Sequence, residues 1–130
     1  MQTLPTVTFR GVRYPAVLER DIRTRLARLE RFYPAIVSAR VRVDLSGRHK
    51  EGNRYRVLVE LGVPGADLIV AHDASIRPAL LASGRRRVRK QDESDSSHRH
   101  ATVAIREAFE AARRRLQEHA RKRRKSTARS

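Results

Sequence analysis

The sequence predicts an α+β domain of order βαβββα, with a four-stranded sheet carrying two helices packed on one face. Three patterns predict it: two stretches with apolar residues at steps of three and four, two adjoining stretches that alternate every second residue, and breaks rich in Gly, Pro and polar turn formers between them. Amphipathic helices must bury a stripe, and one sheet face is the simplest partner for both.

Val7 and Phe9 alternate with Thr6, Thr8 and Arg10, the period of a short strand with one face inward, and Gly11 ends it. From about Pro15 to Phe32 the apolar residues Leu18, Ile22, Leu26, Leu29 and Phe32 form one stripe, with Pro15 suited to a first helical turn and Pro34 to a stop. The period then changes to two. Val37, Ala39, Val41, Val43 and Leu45 share one face, with Ser38, Arg40, Arg42 and Asp44 on the other. Residues 46–53 (SGRHKEGN) read as a turn, after which Tyr55, Val57, Val59 and Leu61 alternate with Arg54, Arg56, Leu58 and Glu60, so the two strands make an antiparallel hairpin. Pro64-Gly65-Ala66-Asp67 is a tight turn into a short fourth strand, Leu68 to Ala71, completing a meander. A second helix is expected from about Ala101 to Arg121, with Ile105, Ala108, Phe109, Ala112, Leu116 and Ala120 along its stripe. Phe9, Phe32 and Phe109 are the large pieces expected in a core otherwise built from Val, Leu, Ile and Ala.

The chain of 130 residues suits one domain. That domain is expected over residues 1–122, with a flexible insertion at 73–99 that joins a basic block (SGRRRVRK) to an acidic, Ser-rich one (QDESDSS), and a disordered basic tail at 123–130. Within the insertion, Ile76 to Leu81 has the composition of a helical turn. There is no internal repeat.

Thirty Lys and Arg against 14 Asp and Glu give a formal charge of +16, with a pI near 11.7. Such a surface seeks polyanions, and a guanidinium grips phosphate at two points, whatever the pH. Absence of cysteine excludes disulfides and thiolate metal sites, and a reducing cytoplasm is the expected compartment. No stretch approaches the ~20 apolar residues of a membrane span, and the first residues lack the apolar run of a signal peptide. His72-Asp73, His98 and His100 invite a metal or acid/base reading. A His-x-His in a Ser-rich stretch gives no rigid platform, though, and no paired carboxylates, nucleophile elbow or Gly-rich phosphate loop accompanies it. The expectation is no catalysis, no metal, no cofactor and no small-molecule substrate.

Three segments resemble one family, the ribosome hibernation-promoting factors (ribosome-associated inhibitors) in their short form. RLARLERF (Arg25 to Phe32) is similar to the family's first helix, PGADLIV (Pro64 to Val70) to its third turn and fourth strand, and AIREAFEAARRRLQEHARK (Ala104 to Lys122) to its last helix. Together they cover most of the chain outside the insertion and tail. Where the family commonly has an Asp and, two residues on, an aromatic at the start of its last helix, this sequence has His100 and Thr102. The resemblance implies a fold similar to double-stranded-RNA-binding domains. It implies a translation inhibitor, monomeric when free, that binds small-subunit rRNA in the channel of messenger and transfer RNAs and keeps idle ribosomes inactive. The sequence shows no trace of the extra domain by which long members pair ribosomes, so unaided ribosome dimerisation is not expected.

Arg25 and Arg28 flank the stripe of the first helix, while Arg20 and Arg31 point away from it. In the second helix Arg113 and Arg115 flank the stripe, with Arg114 and Arg121 opposite. Arg20, Arg25, Arg28, Arg31, Arg113, Arg114, Arg121 and Lys122 are the expected RNA contacts, with the runs Arg85-Arg86-Arg87 and Arg121 to Lys125 adding non-specific grip. The competing reading for each is helix surface neutralised at i,i+4, through Glu19 and Arg23, Asp21 and Arg25, Glu110 and Arg114, or Glu118 and Lys122. With so few aromatics, stacking of bases on the sheet has few candidates, and docking by shape and charge on folded RNA fits better. The alternative function is a general RNA-binding or RNA-chaperone module, since charge alone suits any RNA.

Overall fold

The computed structural model describes residues 2–12, 15–49, 52–75 and 90–129, with side chains over 2–12, 15–45, 54–73 and 100–125. Its elements are β1 (Thr6–Arg10), α1 (Pro15–Phe32), β2 (Ser38–His49), β3 (Gly52–Val63), β4 (Ala66–Ser75) and α2 (Lys90–Arg129), the βαβββα order expected.

The sheet order is β1-β2-β3-β4. β1 runs parallel to β2, with Val7 beside Val41 and Phe9 beside Val43, and α1 is the crossover such a pair requires. β2, β3 and β4 are antiparallel neighbours, with Val41 opposite Val59 and Val59 opposite Val70. The sheet is therefore mixed, with one parallel pair beside the expected antiparallel meander. This connectivity makes the helices run in the same sense, and their C-terminal halves meet beside the β3–β4 turn.

Alternation becomes burial. Val41, Val43, Tyr55, Val57, Val59 and Leu61 are each at most 1% exposed and face Leu18, Ile22 and Leu26 of α1 and Ala104, Ile105, Ala108, Ala112 and Leu116 of α2. Phe109 is buried and Phe9 half-buried, but Phe32 is 39% exposed, a departure from the expected core. The helix stops at Phe32, and the next residue, Tyr33, closes the last turn through its N–H to the Leu29 carbonyl at 2.7 Å. The last member of the stripe thus falls on the rim.

Glycine matters at two bends. Gly11 has φ of +73°, and an added Cβ would run into the carbonyl oxygen of Leu45, so the chain leaves β1 where L side chains fit poorly. Gly65 follows Pro64 with φ of +84°, the positive value a type II turn demands of its third residue.

Several boundaries differ from expectation. Residues 46–49 and 52–53 extend the hairpin with a register shift between Ser46 and His49, where a turn over 46–53 was expected. β4 runs to Ser75, not Ala71, because its backbone keeps pairing with β3 as far as Arg54. α2 begins at Lys90 instead of Ala101, so Lys90 to Arg99, assigned to the insertion, are helical, and His98 and His100 lie within the helix instead of at its start. It also continues to Arg129, through the expected disordered tail. A helix already nucleated by packing gains one hydrogen bond per added residue, and Arg, Lys, Gln and Glu are good helix formers, so polar ends extend without a stripe. The middle of the expected insertion, with Ile76 to Leu81, lies outside the described residues.

Candidate nucleic-acid interface

Among the described side chains, the surplus positive charge is gathered on the helical side. On the open sheet face, five arginines (Arg10, Arg40, Arg42, Arg54, Arg56) stand against four carboxylates (Asp44, Glu60, Asp67, Asp73). Three of these arginines have a carboxylate within reach: Arg42 at 3.2 Å from Asp44, Arg56 at 3.8 Å from Asp73 and Arg40 at 4.0 Å from Glu60. No aromatic residue stands on this face among the described residues, since Tyr55 points into the core. That matches the expectation that the sheet is a poor stacking platform.

The helices differ. Over their described side chains they carry fourteen Lys and Arg against six carboxylates. The excess is graded along α2: residues 113–125 hold eight cations and one carboxylate, Glu118, whereas Arg106 faces two carboxylates, Glu107 and Glu110, in the preceding turns.

Among the proposed contacts, Arg20, Arg28, Arg31, Arg114, Arg121 and Lys122 are exposed and make no ion pair among the described residues. The pairs expected of Glu110 with Arg114 and Glu118 with Lys122 do not form there, which frees both cations. The pair of Glu19 with Arg23 does form, at 3.0 Å, and so does Asp21 with Arg25, at 2.9 Å. Arg25 is only 19% exposed, so for this residue the local-neutralisation reading is the stronger one. Arg113 lies with its guanidinium carbon 4.6 Å from the centroid of the Phe32 ring, a cation–π contact worth about 0.5–1 kcal/mol at such a site. Arg85, Arg86 and Arg87 lie outside the described residues.

Packing of α2 against the β3–β4 turn holds this surface in shape. His119 approaches the Pro64 carbonyl with Nε2 at 3.0 Å, and because that oxygen only accepts, Nε2 carries the proton. Arg123 donates to the same oxygen. Gly65, needed here for its positive φ, faces the Arg123 guanidinium. Tyr33 meets His119 edge-on, with ring centroids 6.3 Å apart, so the end of α1 is tied to α2. Between them lies a cleft lined by Phe32, Tyr33, Gln117, Ala120, Arg121 and Arg124. Sequence reasoning missed Phe32 and Tyr33 as surface participants, while Arg124 lay within the basic run expected to add grip. Only the spacing of Phe32, at the last position of the stripe just before Pro34, hinted at a rim location.

Among the described residues no polar or charged side chain is buried, and no three His, Cys, Asp or Glu side chains group as metal ligands would. His72 Nε2 lies 2.7 Å from a Glu107 carboxylate oxygen, a contact joining β4 to α2. Among the described residues no helix is long and apolar enough to cross a membrane.

The domain is a two-layer α+β sandwich with a nearly balanced sheet face and, among the described side chains, a cationic helical face, a charge pattern suited to polyanions. The chain belongs to the family described as sigma 54 modulation protein / S30EA ribosomal protein, whose model matches residues 6–124. As a member it is a ribosome-associated protein of the hibernation kind, a family that is not enzymatic. The fold is shared with a ribosomal subunit interface protein from Coxiella burnetii, at a TM-score of 0.58 and 11% identity, covering 89% of this chain and 96% of that one. It is also shared with the N-terminal domain of Protein Y from Thermus thermophilus, at a TM-score of 0.59 and 15% identity, covering 92% and 99%. No curated protein matches the sequence.

Proposed function

We propose that this protein lays its helical face on the rRNA of the small ribosomal subunit, in the channel of messenger and transfer RNAs, and so keeps idle ribosomes inactive. The observation that carries the reading is the charge asymmetry among the described side chains: fourteen cations to six carboxylates on the helices, against five to four on the open sheet face. Arg20, Arg28, Arg31, Arg113, Arg114, Arg121 and Lys122 hold phosphates, and Arg25 contributes after exchanging Asp21 for RNA. Arg85, Arg86 and Arg87 add grip from the β4–α2 connection. Each phosphate neutralised releases counterions, so the protein leaves the ribosome as salt rises. It works as a monomer in the cytoplasm, where ribosomes are.

Probing small-subunit rRNA chemically, with and without bound protein and with unrelated structured RNA in excess, tests this. Protection confined to the channel between head and body is expected to survive the competitor. Protection scattered over the subunit and erased by the competitor would instead mark a general RNA binder.

A further inference from the structure

We propose that the cleft where α1 ends against α2 receives one unpaired nucleotide of the bound RNA, its base against Phe32 and Tyr33 and its phosphate on Arg121 and Arg124. This rests on the RNA-docking reading above and names what the helical face selects within a folded RNA.

Phe32 is the chain's exposed phenylalanine: Phe109 is 5% exposed and Phe9 is packed against the core. Arg113 covers one part of the Phe32 ring, at 4.6 Å from its centroid, yet does not line the cleft, so another part of the ring faces the opening. Every base has a π face, and stacking on an aromatic is sequence-tolerant, which suits a protein that otherwise reads shape. A paired base has both faces covered by its neighbours in the helix. Only an unpaired one is free to enter.

Charge points to the same ligand. Arg121 and Arg124 are exposed and unpaired among the described residues, and no carboxylate lines the cleft. Gln117 adds an amide that can donate to or accept from a base edge. The cleft measures about 310 Å³, the low end of ligand sites and a size suited to one nucleotide. One wall is held before RNA arrives: Tyr33 by its edge contact with His119, and His119 by Pro64, so its share of the ordering cost is small.

The chain has no tryptophan, so a Phe32→Trp variant has a single strong fluorophore at the cleft. Two RNA hairpins serve as probes, identical except that one carries a single bulged nucleotide. The wild-type protein is expected to bind the bulged hairpin about tenfold more tightly, a typical size for one stacked base. Phe32→Leu, which keeps apolar bulk without the π face, should erase that preference and leave affinity for the paired stem unchanged. In Phe32→Trp the bulged hairpin should quench fluorescence and the paired one should not. Equal wild-type affinity for the two hairpins, or a preference that survives Phe32→Leu, overturns the proposal while leaving RNA docking intact. Failure to bind either hairpin at low salt while small subunits are still bound overturns this inference alone, and failure to bind small subunits as well removes the docking reading with it. Quenching by free AMP at the concentrations where the bulged hairpin saturates would assign the cleft to a free nucleotide and overturn its role in RNA.

Discussion

Replacing Arg28, Arg114 and Arg121 together by Glu is expected to abolish cosedimentation of the folded protein with small ribosomal subunits. All three are exposed and make no ion pair among the described residues, so their charge is available to a partner and does little for the fold. Charge-assisted contacts contribute roughly 1.5–3 kcal/mol each, so losing three at the lower end weakens binding by about 4 kcal/mol, on the order of a thousandfold. Reversal adds repulsion to that loss. Exposed substitutions of this kind shift stability by only about 0.5 kcal/mol each, so the thermal midpoint should stay close to wild type. A matched triple on the sheet, Arg40, Arg42 and Arg56 to Glu, should retain ribosome binding, because that face is nearly balanced. Binding retained by the helix triple, or lost by the sheet triple, would reverse the assignment of faces.

Phe109→Ala is expected to lower unfolding free energy by about 3–5 kcal/mol, the usual cost of emptying a buried phenylalanine site. Phe109 is 5% exposed and packs in the same cluster as Ile105 and Ala112, where α2 is fastened to β3 and β4. For a small domain with about 5–15 kcal/mol in total, that is a large share, and ribosome binding should fall through loss of the folded fraction. Denaturant titration followed by circular dichroism measures the change. Phe32→Leu, on the rim, should cost far less in the same titration. Equal losses would mean that both rings are core, contrary to the exposure of Phe32.

Much of this was legible in the sequence because burial follows period. The three-and-four spacing from Leu18 to Leu29 and the strict alternation from Ala39 to Val43 and Tyr55 to Leu61 each map onto buried residues. Where the rule failed, a different force decided. Phe32 fits the stripe but sits on the last helical residue, beyond the end of the packed layer. The ends of α2 carry no stripe at all, and they are helical because elongation costs little once residues 101–116 are docked. SGRHKEGN has turn composition, yet backbone pairing carries both strands into it.

The candidate site divides along the same line. Pairs within α1, such as Asp21 with Arg25, depend only on helical spacing and were visible in advance. The pairs Arg40 with Glu60 and Arg56 with Asp73 depend on strand register, and the contact of Arg113 with Phe32 depends on how the helices meet. No local pattern encodes that meeting, so the aromatic cleft was invisible until the two helix ends stood side by side.

The proposed docking on ribosomal RNA runs through cations of the helical face that displace counterions. The affinity of the purified protein for small subunits, measured over a salt series, tests it most directly. A straight fall of log K with log salt is predicted, with a slope of several units at about 0.7–0.9 per phosphate contacted, and a clearly shallower slope for Arg28→Glu/Arg114→Glu/Arg121→Glu. Binding that ignored salt, or a slope the helix triple left unchanged, would contradict it.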